Sequence, residues 1–260
     1  MQVYQSGSTA LHLKRGDMVP KRVGILIPST NTTVEADFQR LLSEAVTVHS
    51  ERLYIPDGTM TEEFLDQMNQ DLLGKATLLA SARVDVIAYA CTSGSFYRGA
   101  GWDAQVKSLI EQHLDLPCIT TSTAVFQAFQ ALNVDTVSVT TPYPDWTNQK
   151  LLEYYTAHGL NVLGVHGDTR AAVNGHRAVN DQEPEQIHQF SRDHFDHGAQ
   201  VLFCSCTAWR ALECAPQLEI EVGVPVVTSN QATIWAALHA LDGIAHARPA
   251  GRLFTVSPRP

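Results

Sequence analysis

The chain has 260 residues, 44% hydrophobic and only 17% charged, and 18 Lys and Arg against 27 Asp and Glu give a net charge of −9. That length suits one large domain or two small ones, and an acidic balance with no basic run excludes an electrostatic nucleic-acid binder. No stretch approaches the ~18 apolar residues of a membrane span, and five cysteines, an odd number, do not make a secreted disulfide framework.

Met1 to Lys21 lacks the apolar core of a signal peptide and reads as a loose extension of a cytoplasmic protein. Regular alternation begins at Arg22. RVGILIP (Arg22 to Pro28) reads as a buried strand, PSTNTT as a polar turn, and Val34 to Glu44 as a helix. Val46 to Ile55 is a second strand and Thr61 to Arg83 one long helix. VDVIAYA (Val84 to Ala90) is a strand that runs into Cys91-Thr92-Ser93-Gly94. A helix at Ala104 to Leu114, a strand at Leu116 to Thr121 and a helix at Ala124 to Leu132 complete the first half. The second half repeats the order: strand Thr136 to Pro142, helix Thr147 to His158, strand Asn161 to Val165 and helix Pro184 to His197. Strand Gln200 to Ser205 leads into Cys206-Thr207, and strand Val224 to Ser229 precedes helix Ala232 to Leu241.

Three landmarks recur in order: Pro28 and Pro142 are 114 residues apart, Cys91 and Cys206 115, and Pro117 and Pro225 108. PCITTSTAVFQAFQAL also faces PVVTSNQATIWAALHAL. Short apolar strands alternating with helices imply parallel sheets covered on both faces. The repeat implies an α/β fold of two pseudo-symmetric lobes, each a parallel four-stranded sheet flanked by helices. Ligands of such sheets bind beyond the carboxyl ends of the strands. Asn31, Cys91, Tyr143 and Cys206 lie just past such ends, and a pseudo-twofold would bring the two cysteines face to face across an inter-lobe cleft.

A thiol near a helix start is expected to have its thiolate stabilised by free N–H groups. Loop amides and the hydroxyls of Thr92, Ser93 and Thr207 can hold an anionic oxygen. Cys118, Cys204 and Cys214 read as core thiols. His188, His194 and His197 read as a solvated helix face and not as a metal site. No P-loop, Gly-x-Gly-x-x-Gly, His-Glu-x-x-His or Gly-x-Ser-x-Gly motif is present.

PSTNTTVE, ACTSGS, TPY, SCTAWRAL and PVVTSNQATIW resemble the aspartate/glutamate racemase superfamily, in its maleate cis-trans isomerase and arylmalonate decarboxylase branch, with the racemase-like proteins of ectoine-utilisation operons closest. The resemblance runs from about Arg22 to Leu241. It implies a discontinuous first lobe, residues 22–122 plus 229–260, and a second lobe, residues 123–228. It implies catalytic roles for Cys91 and Cys206 and substrate-binding roles for Asn31, Thr92, Ser93, Tyr143, Asn174 and Thr207. The decarboxylases carry glycine where this chain has Cys91, which argues against a pure decarboxylase.

The function so implied is a cofactor- and metal-independent isomerase of a small carboxylate, maleate isomerase-like, with Cys91 as nucleophile and Cys206 as proton donor and acceptor. Alternatives are racemisation of an amino acid or its derivative by the same pair, an arylmalonate-type decarboxylation, and a non-catalytic carboxylate-binding protein. A homo-oligomer, dimer or tetramer, is the expected assembly, with neither nucleic acid nor membrane as partner.

Overall fold

The computed structural model describes residues 20–258 apart from 57, 59, 173–174, 242–246 and 249. The extension proposed for residues 1–21 falls almost wholly outside them, and Lys21 already belongs to the first strand.

The first sheet has the order β2-β1-β3-β4, from strands Lys21–Pro28 (β1), Val46–Leu53 (β2), Val86–Tyr89 (β3) and Cys118–Thr120 (β4). The second repeats it as β6-β5-β7-β8, from Thr136–Thr141 (β5), Asn161–Gly167 (β6), Val201–Cys204 (β7) and Val226–Thr228 (β8). All pairings are parallel. The central strands are apolar on both faces because both are covered. In β1, Val23, Ile25 and Ile27 pack into one core cluster, whereas Leu26 packs into another.

The helices of the first half are Val34–Leu41 (α1), Glu62–Asn69 (α2), Leu72–Ser81 (α3), Thr92–Phe96 (α4), Trp102–Leu114 (α5) and Thr121–Leu132 (α6). Those of the second half are Asp145–Ala157 (α7), Pro184–Asp193 (α8), Ala215–Val222 (α9) and Ser229–Ala240 (α10). The single helix expected over 61–83 is two. The Asn69 side chain accepts from the Tyr89 hydroxyl (2.7 Å) and donates to that of Tyr97 (3.4 Å). The chain then turns at Gln70 and Asp71 before α3 starts. Asn and Asp interrupt helices because their side chains compete for nearby backbone groups.

The repeat is visible at the helix starts. Thr120 caps α6, and Thr228 caps α10 in a capping box with Gln231. These two helices pack together, with Thr121 Oγ1 3.0 Å from Thr233 Oγ1. Phe129 of α6 stands edge-on to Phe203 of β7 and leans on Tyr155 of α7, so α6 covers the second sheet. Conversely, α10 lies against β3, β4 and α1 as well as β8. No helix among the described residues is long and apolar enough to cross a membrane.

Where α10 meets α1, a carboxylate is fully enclosed. Asp37 accepts from Asn230 Nδ2 (2.7 Å) and Arg40 (3.3 Å), and Asn230 also donates to the Thr207 carbonyl (3.0 Å). Burial pushes the Asp37 carboxyl up to about 7, against the opposing hydrogen bond from Asn230 and the charge of Arg40. A carboxyl raised on folding holds its proton where the unfolded chain has lost it. It therefore stabilises the fold most below pH 4, and that contribution is lost as pH rises through 7. Asp37→Asn keeps an acceptor for Asn230 and removes the titration. Relative to wild type, the variant should gain stability between pH 4 and 8, by roughly 4 kcal/mol when Asp37 is fully ionised. Urea unfolding at a series of pH values checks this; parallel wild-type and variant curves would contradict it.

Candidate active site

The carboxyl ends of the two sheets face a shared cavity of about 310 Å³. Its walls include Asn31, Cys91, Thr92, Ser93, Tyr143, Cys206 and Thr207. Seven of the eight residues expected at the site thus line one space; the eighth, Asn174, lies outside the described residues.

Each thiol stands two residues beyond a strand, where the chain turns. Cys91 follows β3 and is the N-cap of α4; its Sγ accepts from the Gly94 N–H (3.4 Å) and lies 3.9 Å from Ser93 Oγ. Cys206 follows β7; the backbone N–H groups of Ala208 and Trp209 and the Tyr143 hydroxyl lie near enough to favour its thiolate, and the Trp209 N–H donates to the Cys206 carbonyl (3.3 Å). The repeat has thus placed a thiol two residues beyond the equivalent strand in each half. The sulfurs are near enough for charge on Cys206 to oppose ionisation of Cys91.

Burial nevertheless dominates both. It pushes the Cys91 thiol up to about 12 and that of Cys206 to about 11, with the N–H contacts only partly opposing it. The turn amides do favour the thiolates as expected, but the cavity removes more hydration than they replace, so the net shift is upward. Burial also raises the Tyr143 phenol well above its ordinary value, so it stays neutral beside Cys206. At neutral pH, Cys206 should react with iodoacetamide about a hundredfold more slowly than a free thiol of ordinary pKa, and the rate should climb about tenfold per pH unit up to pH 10. Peptide mass spectrometry of timed samples measures this; rapid, pH-independent labelling would contradict it.

Asn31 does two jobs. Its Oδ1 accepts from the N–H groups of Thr33 (2.9 Å) and Val34 (3.1 Å), which fixes the turn into α1. Its Nδ2 then faces Thr207 Oγ1 (3.1 Å), which leaves one amide hydrogen for a ligand. Thr92 Oγ1 donates to Ser229 Oγ (2.9 Å), which also accepts from the Cys206 N–H (3.0 Å). Ser229, the first residue of α10, therefore ties the two thiol turns together. The sequence reading missed it, although the alignment of PCITT with PVVTS marks this stretch as half of the repeat.

Asn180 was also missed. Its Oδ1 accepts from the Thr32 N–H (3.0 Å), and its Nδ2 donates to the carbonyls of Thr30 (3.1 Å) and Arg177 (3.0 Å). It fastens the loop after β6 to the Asn31 turn. That loop and the one after β2 supply Gly175, His176, Val179 and Met60 to the cavity.

A family model described as arylmalonate decarboxylase matches residues 23–254. The arylmalonate decarboxylase of Bordetella bronchiseptica is 29% identical over 238 residues, 90% of this chain and 97% of the relative. The maleate isomerase of Nocardia farcinica is 28% identical over 245 residues, 90% of this chain and 95% of the relative. Among solved structures, a glycine-to-cysteine, cysteine-to-serine double variant of arylmalonate decarboxylase in the liganded form is 30% identical with a TM-score of 0.82, covering 91% of this chain and 99% of that one. A Nocardia farcinica maleate cis-trans isomerase variant with a covalently bound succinylcysteine intermediate shares the fold at 24% identity with a TM-score of 0.83, covering 91% and 98%. Matched along nearly its whole described length, the chain belongs to the arylmalonate decarboxylase family, in the aspartate/glutamate racemase-like branch that also includes the maleate isomerases.

Proposed function

We propose that this protein is an isomerase of a small carboxylate, using Cys91 as nucleophile and Cys206 as proton donor and acceptor. The observation that carries the reading is the pair of thiols at repeat-equivalent strand ends in one cavity, beside the free amide hydrogen of Asn31. The similarity to maleate isomerases, one of them solved with a succinylcysteine intermediate, supports it.

On a maleate-like diacid the steps balance. The Cys91 thiolate adds to one alkene carbon, forming a C–S bond as the π bond breaks. Charge passes into the adjacent carboxylate, where Asn31 and the hydroxyls of Ser93 and Thr207 are the available donors. Cys206 delivers its proton to the neighbouring carbon and becomes the thiolate. Rotation about the new single bond follows. Cys206 then recovers the proton, the C–S bond breaks and the trans alkene leaves. Because burial holds both thiols protonated at rest, Cys91 must lose its proton before the first cycle, so turnover should rise with pH across the neutral range.

A second reading rests on the repeat-equivalent positions of the two thiols on one cavity. Either thiol can serve as base and the other as acid, which is what racemisation at an α-carbon requires. Proton NMR in D₂O separates the two. Isomerisation converts maleate signals to those of fumarate, whereas racemisation exchanges the α-proton of a chiral acid for deuterium. Neither change across a panel of maleate, aspartate, glutamate and arylmalonates would overturn both readings.

A further inference from the structure

Two successive residues of α10 hold the Cys206 turn. Ser229 Oγ accepts from the Cys206 N–H (3.0 Å), and Asn230 Nδ2 donates to the Thr207 carbonyl (3.0 Å). The backbone on both sides of the thiol is thus tied to one helix. Asn230 is itself held, because its Nδ2 also donates to Asp37 Oδ2 (2.7 Å) on α1. Two acceptors converging on one NH₂ group decide which end of the amide faces them. Either protonation state of Asp37 keeps an accepting oxygen, so this orientation survives titration of the carboxyl. Asn230, Asp37 and Thr207 are at most 3% exposed, so bulk water does not replace a lost partner.

The first half carries its own version of the anchor. Ser122 lies 108 residues before Asn230, the offset that separates Pro117 from Pro225. Its Oγ is 2.7 Å from Ser95 Oγ, which donates to the Thr92 carbonyl (2.8 Å). In both halves, the second residue of the helix after the last strand holds the carbonyl of the threonine that follows the thiol. Asn230 does so directly and Ser122 through Ser95. Different side chains thus meet one requirement, a fixed carbonyl next to each thiol. We propose that Asn230 is a positioning residue: held by Asp37, it fixes the Thr207 carbonyl and so where the Cys206 thiol stands relative to Cys91. The proposal rests on the two-thiol reading and adds a residue that is not among those lining the cavity.

Steady-state kinetics at pH 8, on whichever acid of the panel wild type turns over, tests this. A displaced proton partner slows the chemical steps more than binding. Asn230→Ala should therefore lose about a hundredfold in kcat, the scale of a shift of about 1 Å, with KM changed by less than about threefold. Asp37→Ala, which removes one of the two acceptors that orient the amide, should lose about tenfold in kcat, the scale of one neutral hydrogen bond. Asp37→Asn, which restores an acceptor, should recover most of that loss, and this comparison stands whether or not Asn230→Ala folds. A purely structural role would lower melting temperatures and leave kcat of the folded variants unchanged. Wild-type-like kcat in folded Asn230→Ala, a loss confined to KM, or equal kcat in Asp37→Ala and Asp37→Asn would overturn the proposal while the two-thiol reading stands. Wild-type-like turnover in Cys206→Ser, or no turnover of any panel acid by wild type, would overturn that reading and this proposal with it.

Discussion

Cys206→Ser should lower kcat for the isomerisation by at least about a thousandfold and leave the fold intact. General acid–base catalysis by a positioned group contributes about 10²–10⁴-fold, and a serine hydroxyl is a far weaker acid and base than a thiol. The fold should survive because the contacts that fix this turn are made by the Cys206 backbone, whose N–H donates to Ser229 Oγ and whose carbonyl accepts from the Trp209 N–H. Cys91→Ser should lose as much, for a different reason: the alkoxide needed to attack the alkene is not available near neutral pH. Its N-cap role is retained, since an oxygen can take the Gly94 N–H. The variants should therefore unfold at nearly the wild-type temperature yet turn over at background rate. Wild-type-like kcat in either would contradict the two-thiol mechanism. A large fall in melting temperature would instead show a structural role for that thiol.

The second large effect is expected at Gly94, in the turn that Cys91 caps. A Cβ there would collide with the Tyr89 hydroxyl and lie 2.9 Å from both Cys91 Sγ and Met68 Cε. None of the three can withdraw easily. Tyr89 is fully buried and tied to Asn69 (2.7 Å), and Met68 is 1% exposed. The glycine is needed for the close approach of this backbone to the sulfur. Gly94→Ala should cost about 1–3 kcal/mol of stability through overpacking. It should also push the thiol off its cap, and misplacement by about 1 Å costs on the order of a hundredfold in rate. A fall in kcat much larger than any change in KM, measured on the folded variant, is the expected result. Unchanged kcat would show that the sulfur position is not critical.

Much of this architecture was legible because the chain repeats itself. Pro28 with Pro142, Cys91 with Cys206 and Pro117 with Pro225 fall at equivalent strand ends, and the two sheets carry the same strand order. The cavity was legible for the same reason, since parallel sheets present their carboxyl ends to ligands. What the sequence hid depends on burial and on contacts between halves. The helix break at Gln70 and Asp71 follows from two tyrosines that reach Asn69 from β3 and from beyond α4. The direction of the thiol shifts depends on how much water the closed cavity excludes, which no local motif records. Ser229 looks like a helix-start serine until Thr92 and the Cys206 N–H are seen to converge on it.

The most direct test of paired thiols with unequal roles is the intact mass of Cys206→Ser after incubation with maleate, followed by peptide mapping. Cys91 can still add to the alkene in this variant, the proton it gives up on ionising reaching the neighbouring carbon slowly through water, while no thiolate remains to remove that proton and release the product. A succinyl adduct should therefore accumulate on the peptide that carries Cys91, and Cys91→Ser should stay unmodified under the same conditions. An unmodified Cys206→Ser protein, or an adduct on Cys118, Cys204 or Cys214 instead, would contradict the assignment of Cys91 as nucleophile and Cys206 as its proton partner.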